Sequence, residues 1–210
     1  MLLRDNVYDA LRSAILTCEL PPGQELREQD LAAQYAVSRS PVRDALLRLE
    51  GERLVTVLPR QGYRVNAVSA ADARDIFGLR LVIEPACAAA AASSAIDART
   101  LDTFRGFTGN ASDFIDYNRR FHAALATLSG NARMAAVARD LVDQSDRLVR
   151  VSLLALGDRQ RDRLVAEHET IIDAIQAGDA TRAETAARHH VADARTRVLA
   201  GLNNKREVTP

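Results

Sequence analysis

The chain has no tryptophan, only two methionines and two cysteines in 210 residues, and aromatic side chains make up just 4% of it. Cys18 and Cys87 stand at no paired spacing, which excludes a disulfide framework and a cysteine metal motif and leads us to expect a reducing, cytoplasmic setting. Long apolar runs are missing too. The longest, around Pro85–Ala95, is short and alanine-rich, well under the roughly 20 residues that cross a bilayer, so no membrane partner is expected. The first residues, MLLRDN, are charged rather than a basic and apolar leader. An excess of charge of one sign is also absent: 28 Lys and Arg balance 28 Asp and Glu. That balance excludes a polycationic coat for nucleic acid, so any DNA contact must come from the local placement of arginines. Lysine itself is nearly missing, Lys205 being the single one.

What is present is enough for two modest cores, with 47% hydrophobic residues. Residues 26–65, LREQDLAAQYAVSRSPVRDALLRLEGERLVTVLPRQGYRV, read as two short helices, a tight turn and a hairpin. Leu31, Ala32 and Tyr35 form one apolar stripe, and Val42, Ala45, Leu46 and Leu49 a second at helical spacing. Ala36, Val37 and Ser38 allow only a short connection, and Ser40 before Pro41 predicts a capped helix starting at Pro41. This order is a winged helix-turn-helix. Ser38, Arg39, Ser40 and Arg43 cluster at the N-terminal end of the second helix, where free N–H groups favour a phosphate. The arginine fork matches a phosphate or the guanine edge, so Arg39 and Arg43 are candidate contacts, against the plain reading of a solvated helix face. Leu54–Val57 and Tyr63–Val65 form the two arms of the wing, and Arg60 and Gln61 lie at its tip, placed to reach a minor groove or phosphates or simply to be a solvated turn. Gly62 supplies backbone freedom there. From Arg39 to Arg64, six arginines face only Asp44, Glu50 and Glu52.

After Val65 strand-like residues stop and alanine dominates. Six helical segments are predicted, at about 70–94, 97–107, 111–128, 131–156, 159–177 and 179–203, separated at Ser129-Gly130-Asn131, Gly157-Asp158 and Gly178-Asp179. The fold class is therefore mainly α. A winged helix-turn-helix domain over residues 1–66 is joined by the short Asn66–Ser69 junction to a six-helix bundle over residues 70–204, and the tail Asn203–Pro210 is expected to be disordered.

All four histidines fall in the helical half. Asn118 and His122, four apart, share a face that continues through Ile115 and Leu125. His168 shares a face with Leu164, Ile171, Ile172 and Ile175. His190 lies on a stripe of small residues, and His189 points about a hundred degrees away from it. Three core-facing His on separate helices, with a carbonyl oxygen, suit a borderline divalent ion such as zinc or nickel; singly, each also reads as an ordinary core histidine. Arg80 is a candidate partner for an effector's carboxylate, or else an i,i+4 partner for Glu84.

Residues 20–65 resemble the DNA-binding domain of the GntR family of bacterial transcription regulators. The segments LRLVIEPACAAAAA, NRRFHAALATLSGN and EHETIIDAIQAGDATRAETAARHH are similar to successive helices of the FCD ligand-binding domain of its FadR-type branch. Six helices rather than seven suggest the shorter, VanR-like group. The resemblance implies DNA contacts at Arg39 and Arg43, with Ser38, Ser40 and Gly62 in support, while Gln29 stands where some relatives carry Arg. It implies metal ligands at Asn118, His122, His168 and His190. Asn118 stands where an Asp is the commoner residue, which removes one negative charge from the site and should weaken its hold on a metal. It further implies a homodimer on an inverted-repeat double-stranded operator, repression, and control by a small organic or sugar acid effector. Two rival readings are a metal-dependent hydrolase or lyase, with Glu167 or Asp116 as base, and a DNA-binding protein without an effector, in which the histidines are merely core.

Overall fold

A computed structural model describes the backbone of residues 3–153 and 158–206, and side chains within residues 6–110, 113–150 and 161–202. The chain divides into two compact units, Met1–Val68 and Ser69–Pro210.

The first unit holds α1 (Leu3–Leu16), β1 (Glu25–Leu26), α2 (Glu28–Gln34), α3 (Arg39–Gly51), β2 (Val55–Leu58) and β3 (Gly62–Val65). The sequence reading does not name α1, although Val7, Leu11 and Ile15 recur every fourth residue and are buried. Without α1, the apolar face of α3 would lack a cover; Val7, Leu11 and Ile15 join Val42, Ala45, Leu46 and Leu49 in one core. The wing gains a short third strand. β3 is central, pairing antiparallel with β2 (Val57 opposite Tyr63) and with β1 (Leu26 opposite Tyr63). The alternation along β3 puts Tyr63 and Val65 inside and Arg64 outside.

The start of α3 differs from expectation. The helix begins at Arg39 with Ser38 in the extended cap conformation, two residues before Pro41. Pro41 is accommodated because every N–H of the first turn lacks an intrahelical acceptor, so the missing donor costs nothing at the third position either.

The second unit comprises α4 (Ala70–Ala92), a 3-10 helix (Ala98–Phe104), α5 (Ala111–Leu128), α6 (Ala132–Leu153), α7 (Asp158–Gln176) and α8 (Ala180–Arg206). Ser69 caps α4, its hydroxyl accepting from the Asp72 N–H at 3.0 Å. Asn131 and Asp179 do the same for α6 and α8, each after a glycine of positive φ, Gly130 and Gly178. The break expected at Gly157 lies outside the described residues. The segment expected at 97–107 is a 3-10 helix, and residues 203–206 of the predicted disordered tail continue α8; residues 207–210 lie outside the described residues.

Pro85 sits inside α4 and is buried. It has no N–H to give to the carbonyl of Leu81 one turn earlier. Arg188 of α8 supplies the missing donor, Nη1 to Leu81 O at 3.2 Å, at the seam where α4 packs most extensively, on α8. The core of this unit is built from Phe104, Phe114, Tyr117, Phe121 and Leu125 against Leu164, Ile171, Ile172 and Ile175. It therefore surrounds the faces that carry Asn118, His122 and His168.

Candidate functional site

In the first unit, Gln29, Arg39, Arg43, Arg60, Gln61 and Gly62 line one open groove of about 750 Å³ between the start of α2, the start of α3 and the wing tip. Ser38 and Ser40 are exposed at the head of α3 but do not line that groove. The wing tip is tight: Arg60 takes a left-handed φ of 66° and Gly62 a φ of 119°. A Cβ at Gly62 would run into the backbone carbonyl of Leu26, so glycine is required there twice over. The residue that the sequence reading passes over is Glu28. Its carboxylate takes Arg43 Nε at 2.8 Å and Nη2 at 2.8 Å, and Arg39 Nη2 at 3.2 Å. The hydrogen bond from Arg43 chiefly holds the Glu28 carboxyl below its usual range, with burial opposing it and Arg39 adding to it.

In the second unit, α5, α7 and α8 bring His122, His168 and His190 together, with ring nitrogens within 4.8 Å of one another. His168 Nε2 lies 3.3 Å from His190 Nε2, which lies 3.3 Å from His122 Nε2. The other face of each ring has its own partner. His168 Nδ1 is 3.1 Å from the Tyr117 hydroxyl, which itself donates to Phe104 O at 3.0 Å and so is left to accept. His190 Nδ1 is 2.9 Å from Glu167 Oε2, and His122 Nδ1 is 2.7 Å from Glu84 Oε2. A carboxylate or an accepting hydroxyl beside Nδ1 keeps the proton there, and the three Nε2 lone pairs are turned toward a common point. Three lone pairs facing each other repel unless a cation lies between them. This donor set fits a borderline divalent ion.

The electrostatics agree. Burial drives His122 down to about 4, against the pull of Glu84, and drives His168 well below its ordinary value with help from His190 and His122. Both rings are neutral at physiological pH, as metal ligands must be. Burial would raise Glu167, but His190 and Arg197 outweigh it and bring it to about 2. Arg197 grips Glu167 with both ends of its fork, at 2.9 and 3.0 Å. Burial is likewise outweighed at Glu84 by Arg80 and His122, and its carboxyl is lowered.

Arg80 makes the i,i+4 pair with Glu84. It is buried, hydrogen-bonded through Nε to Glu84, and donates Nη1 to Ser145 Oγ at 2.9 Å. Arg80, Asn118, His122, His190 and Arg197 all border one small cavity of about 30 Å³, with Phe114, Val149, Leu164 and Val198 as apolar lining. A space of that size suits a single ion or water. His189 is exposed and apart from the cluster, as its helical phase predicts. Of the two bases that an enzyme reading requires, Glu167 is engaged by His190, Arg197 and Arg163, and Asp116 is exposed and paired with Arg119 and Arg120. Tyr117 and Arg197 complete the site without any signal in the sequence, and Glu84 and Glu167, read there only as an i,i+4 partner and a candidate base, turn out to face His122 and His190, because these partners are tens of residues away.

A buried acid stands nearby. Asp146 is buried and its Oδ1 has no hydrogen bond. Burial raises it to about 7, with Asp143 adding and Arg119, Arg150 and Arg80 opposing. An exposed Asp ionises near 4, so between those values the folded chain holds the extra proton, and stability falls as pH rises through that window. Asp146→Asn should therefore melt higher than wild type at pH 8, by roughly 1–2 kcal/mol or about 2–8 °C. That advantage should shrink steadily as pH falls through this window and vanish only at about pH 4 or below, as followed by circular dichroism.

Two family models match the chain. Residues 3–65 match the bacterial regulatory proteins of the gntR family, and residues 75–193 match the FCD domain. The chain belongs to the GntR family. Its FCD domain fits the FadR-type branch, and it is a transcriptional regulator of that type. It is 33% identical over 206 residues to an uncharacterized HTH-type transcriptional regulator in an unstable DNA locus of Streptomyces ambofaciens, covering 90% of this chain and 81% of that one. It is 26% identical over 197 residues to the HTH-type transcriptional repressor RspR of Escherichia coli K12, covering 90% and 86%. Among solved structures, E. coli McbR/YncC shares the fold with a TM-score of 0.79 at 22% identity, covering 98% of this chain and 99% of that one. A GntR-family winged helix-turn-helix implies DNA binding. No described helix is long and apolar enough to cross a membrane.

Proposed function

We propose that this GntR regulator binds an inverted-repeat operator as a homodimer and represses transcription until a small carboxylate effector enters the FCD domain beside a divalent metal. The observation that carries the metal-dependent part is the convergence of three Nε2 atoms whose Nδ1 sides are held by Glu84, Tyr117 and Glu167. His122, His168 and His190 would hold the ion, with Asn118 offering a carbonyl oxygen beside them. When bound, the ion supplies a fixed positive charge for an anionic oxygen of the effector.

The chain's own residues set the rest. Glu84 and Glu167 keep their histidines in the metal-ready tautomer, and Arg80 and Arg197 keep those two carboxylates ionised in a buried setting. Phe114, Val149, Leu164 and Val198 give the cavity its apolar lining, and its small size means that an effector has to displace some of them to fit. That displacement is the event through which effector and operator affinities are coupled. RspR, which matches 90% of this chain, is described as a repressor, which supports the sign proposed here.

A thermal-shift screen of organic and sugar acids, each with and without zinc or nickel, tests this reading. The expected result is stabilisation by one chemical class of acid only in the presence of metal. Stabilisation by no acid in either condition leaves the histidines as core and the protein as a DNA binder without an effector.

A further inference from the structure

We infer that Glu28 is a positioning residue for DNA recognition, buttressing Arg43 and Arg39 so that they favour base edges over phosphates; this rests on the reading of those arginines as DNA contacts. The geometry is specific. An arginine fork has a side-on face, Nε with Nη2, and an end-on face, Nη1 with Nη2. Glu28 occupies the side-on face of Arg43, with Oε1 on Nε and Oε2 on Nη2, both at 2.8 Å. The end-on face remains for the O6/N7 edge of a guanine. Glu28 also draws Arg39 in from its position one turn earlier on α3, Nη2 to Oε2 at 3.2 Å.

Glu28 is held better than a surface acid. Its side chain is 14% exposed while those of Arg39 and Arg43 are 63% and 54% exposed, and it opens α2, the helix whose Leu31 and Ala32 pack into the core with α3. The arginines are therefore anchored at one end by a carboxylate fixed to the scaffold, and their rotamer freedom is reduced before DNA arrives.

The charge matters as much as the position. One carboxylate shared by two guanidiniums leaves a net charge of only one at the head of α3, and a carboxylate repels any phosphate that approaches side-on. Both effects lower sequence-independent affinity, which depends on phosphate neutralisation, more than they lower base-directed affinity. In a chain with no net basic charge, this device makes discrimination rather than raw attraction the product of the recognition helix.

The test begins by enriching a random duplex library on the full wild-type chain to obtain an operator. Wild type, Glu28→Gln and Glu28→Asp are then titrated by fluorescence anisotropy with that operator and with its scrambled version at about 50 and 200 mM salt. Glu28→Gln should bind the scrambled duplex about three- to tenfold more tightly, with a steeper salt dependence, and the operator no more tightly than wild type. The operator-to-scrambled ratio should then fall about tenfold or more. Glu28→Asp keeps the charge but is one methylene short, so it should restore the scrambled-duplex affinity without restoring the operator affinity. An unchanged ratio in a Glu28→Gln protein with wild-type circular dichroism overturns the inference, as does a parallel loss on both duplexes. Failure of the wild-type chain to enrich any sequence overturns the DNA-contact reading itself, a different result from either.

Discussion

Replacing Arg39 and Arg43 together by alanine should lower affinity for the selected operator by about 10²–10⁴-fold while leaving the fold intact. Each bidentate arginine is worth about 1–3 kcal/mol of base discrimination, and every 1.4 kcal/mol is tenfold. The two side chains are exposed on the solvent face of α3, whereas Val42, Ala45, Leu46 and Leu49 on the opposite face carry the packing. Their removal therefore costs the core nothing. The loss should lie toward the upper end, because the double variant leaves Glu28 facing the phosphates with no cation to neutralise it. Single variants should not add, since both arginines share that one carboxylate. Gel shifts with operator and scrambled DNA check this: unchanged operator binding in the double variant removes the contact assignment.

His168→Ala should abolish stoichiometric zinc or nickel retention. His168 lies at one end of the Nε2 chain, 3.3 Å from His190, and its loss leaves only two imidazoles and an amide oxygen, too few neutral donors for a closed site. Glu167→Gln removes a partner rather than a ligand and should weaken the metal by about 10–100-fold. His189→Ala, on the exposed side of α8, should change nothing. His168 also stacks on Phe121 with ring centroids 4.0 Å apart, so the alanine variant is expected to melt lower even without metal. The decisive comparison is thus the shift on adding metal, about 2.7 kcal/mol for wild type at a hundredfold excess over its dissociation constant and none for His168→Ala. Elemental analysis before and after reloading gives the stoichiometry, and a wild-type protein that takes up no ion after reloading sinks the metal reading outright.

The helix-turn-helix was legible because its signals are local. Stripes at Leu31, Ala32 and Tyr35 and at Val42, Ala45, Leu46 and Leu49 need only a helical period to be read, and a glycine between two β-branched runs needs only turn chemistry. The same local logic missed α1, whose stripe is clear only once α3 is seen to need a cover, and it set the start of α3 two residues late because Pro41 satisfies any position of a first turn. In the bundle, the phase of each helix correctly separated His122, His168 and His190 from His189. Phase does not say what faces a side chain from another helix. The contacts of Tyr117 with His168, Glu167 with His190 and Arg80 with Ser145 span 51, 23 and 65 residues, and nothing local marks them.

By itself the sequence determined that the chain is mainly helical, that a winged helix-turn-helix precedes a bundle, and that three histidines share its interior, all consequences of periodicity and capping within a few turns. Only the tertiary structure decided how those histidines are turned, that Arg80 reaches Ser145 as well as Glu84, and that Glu28 holds the arginines at the head of α3. The reason is physical: tautomer, ionisation and guanidinium orientation are set by the partner that desolvated packing brings to each polar group, and that partner comes from a distant part of the chain.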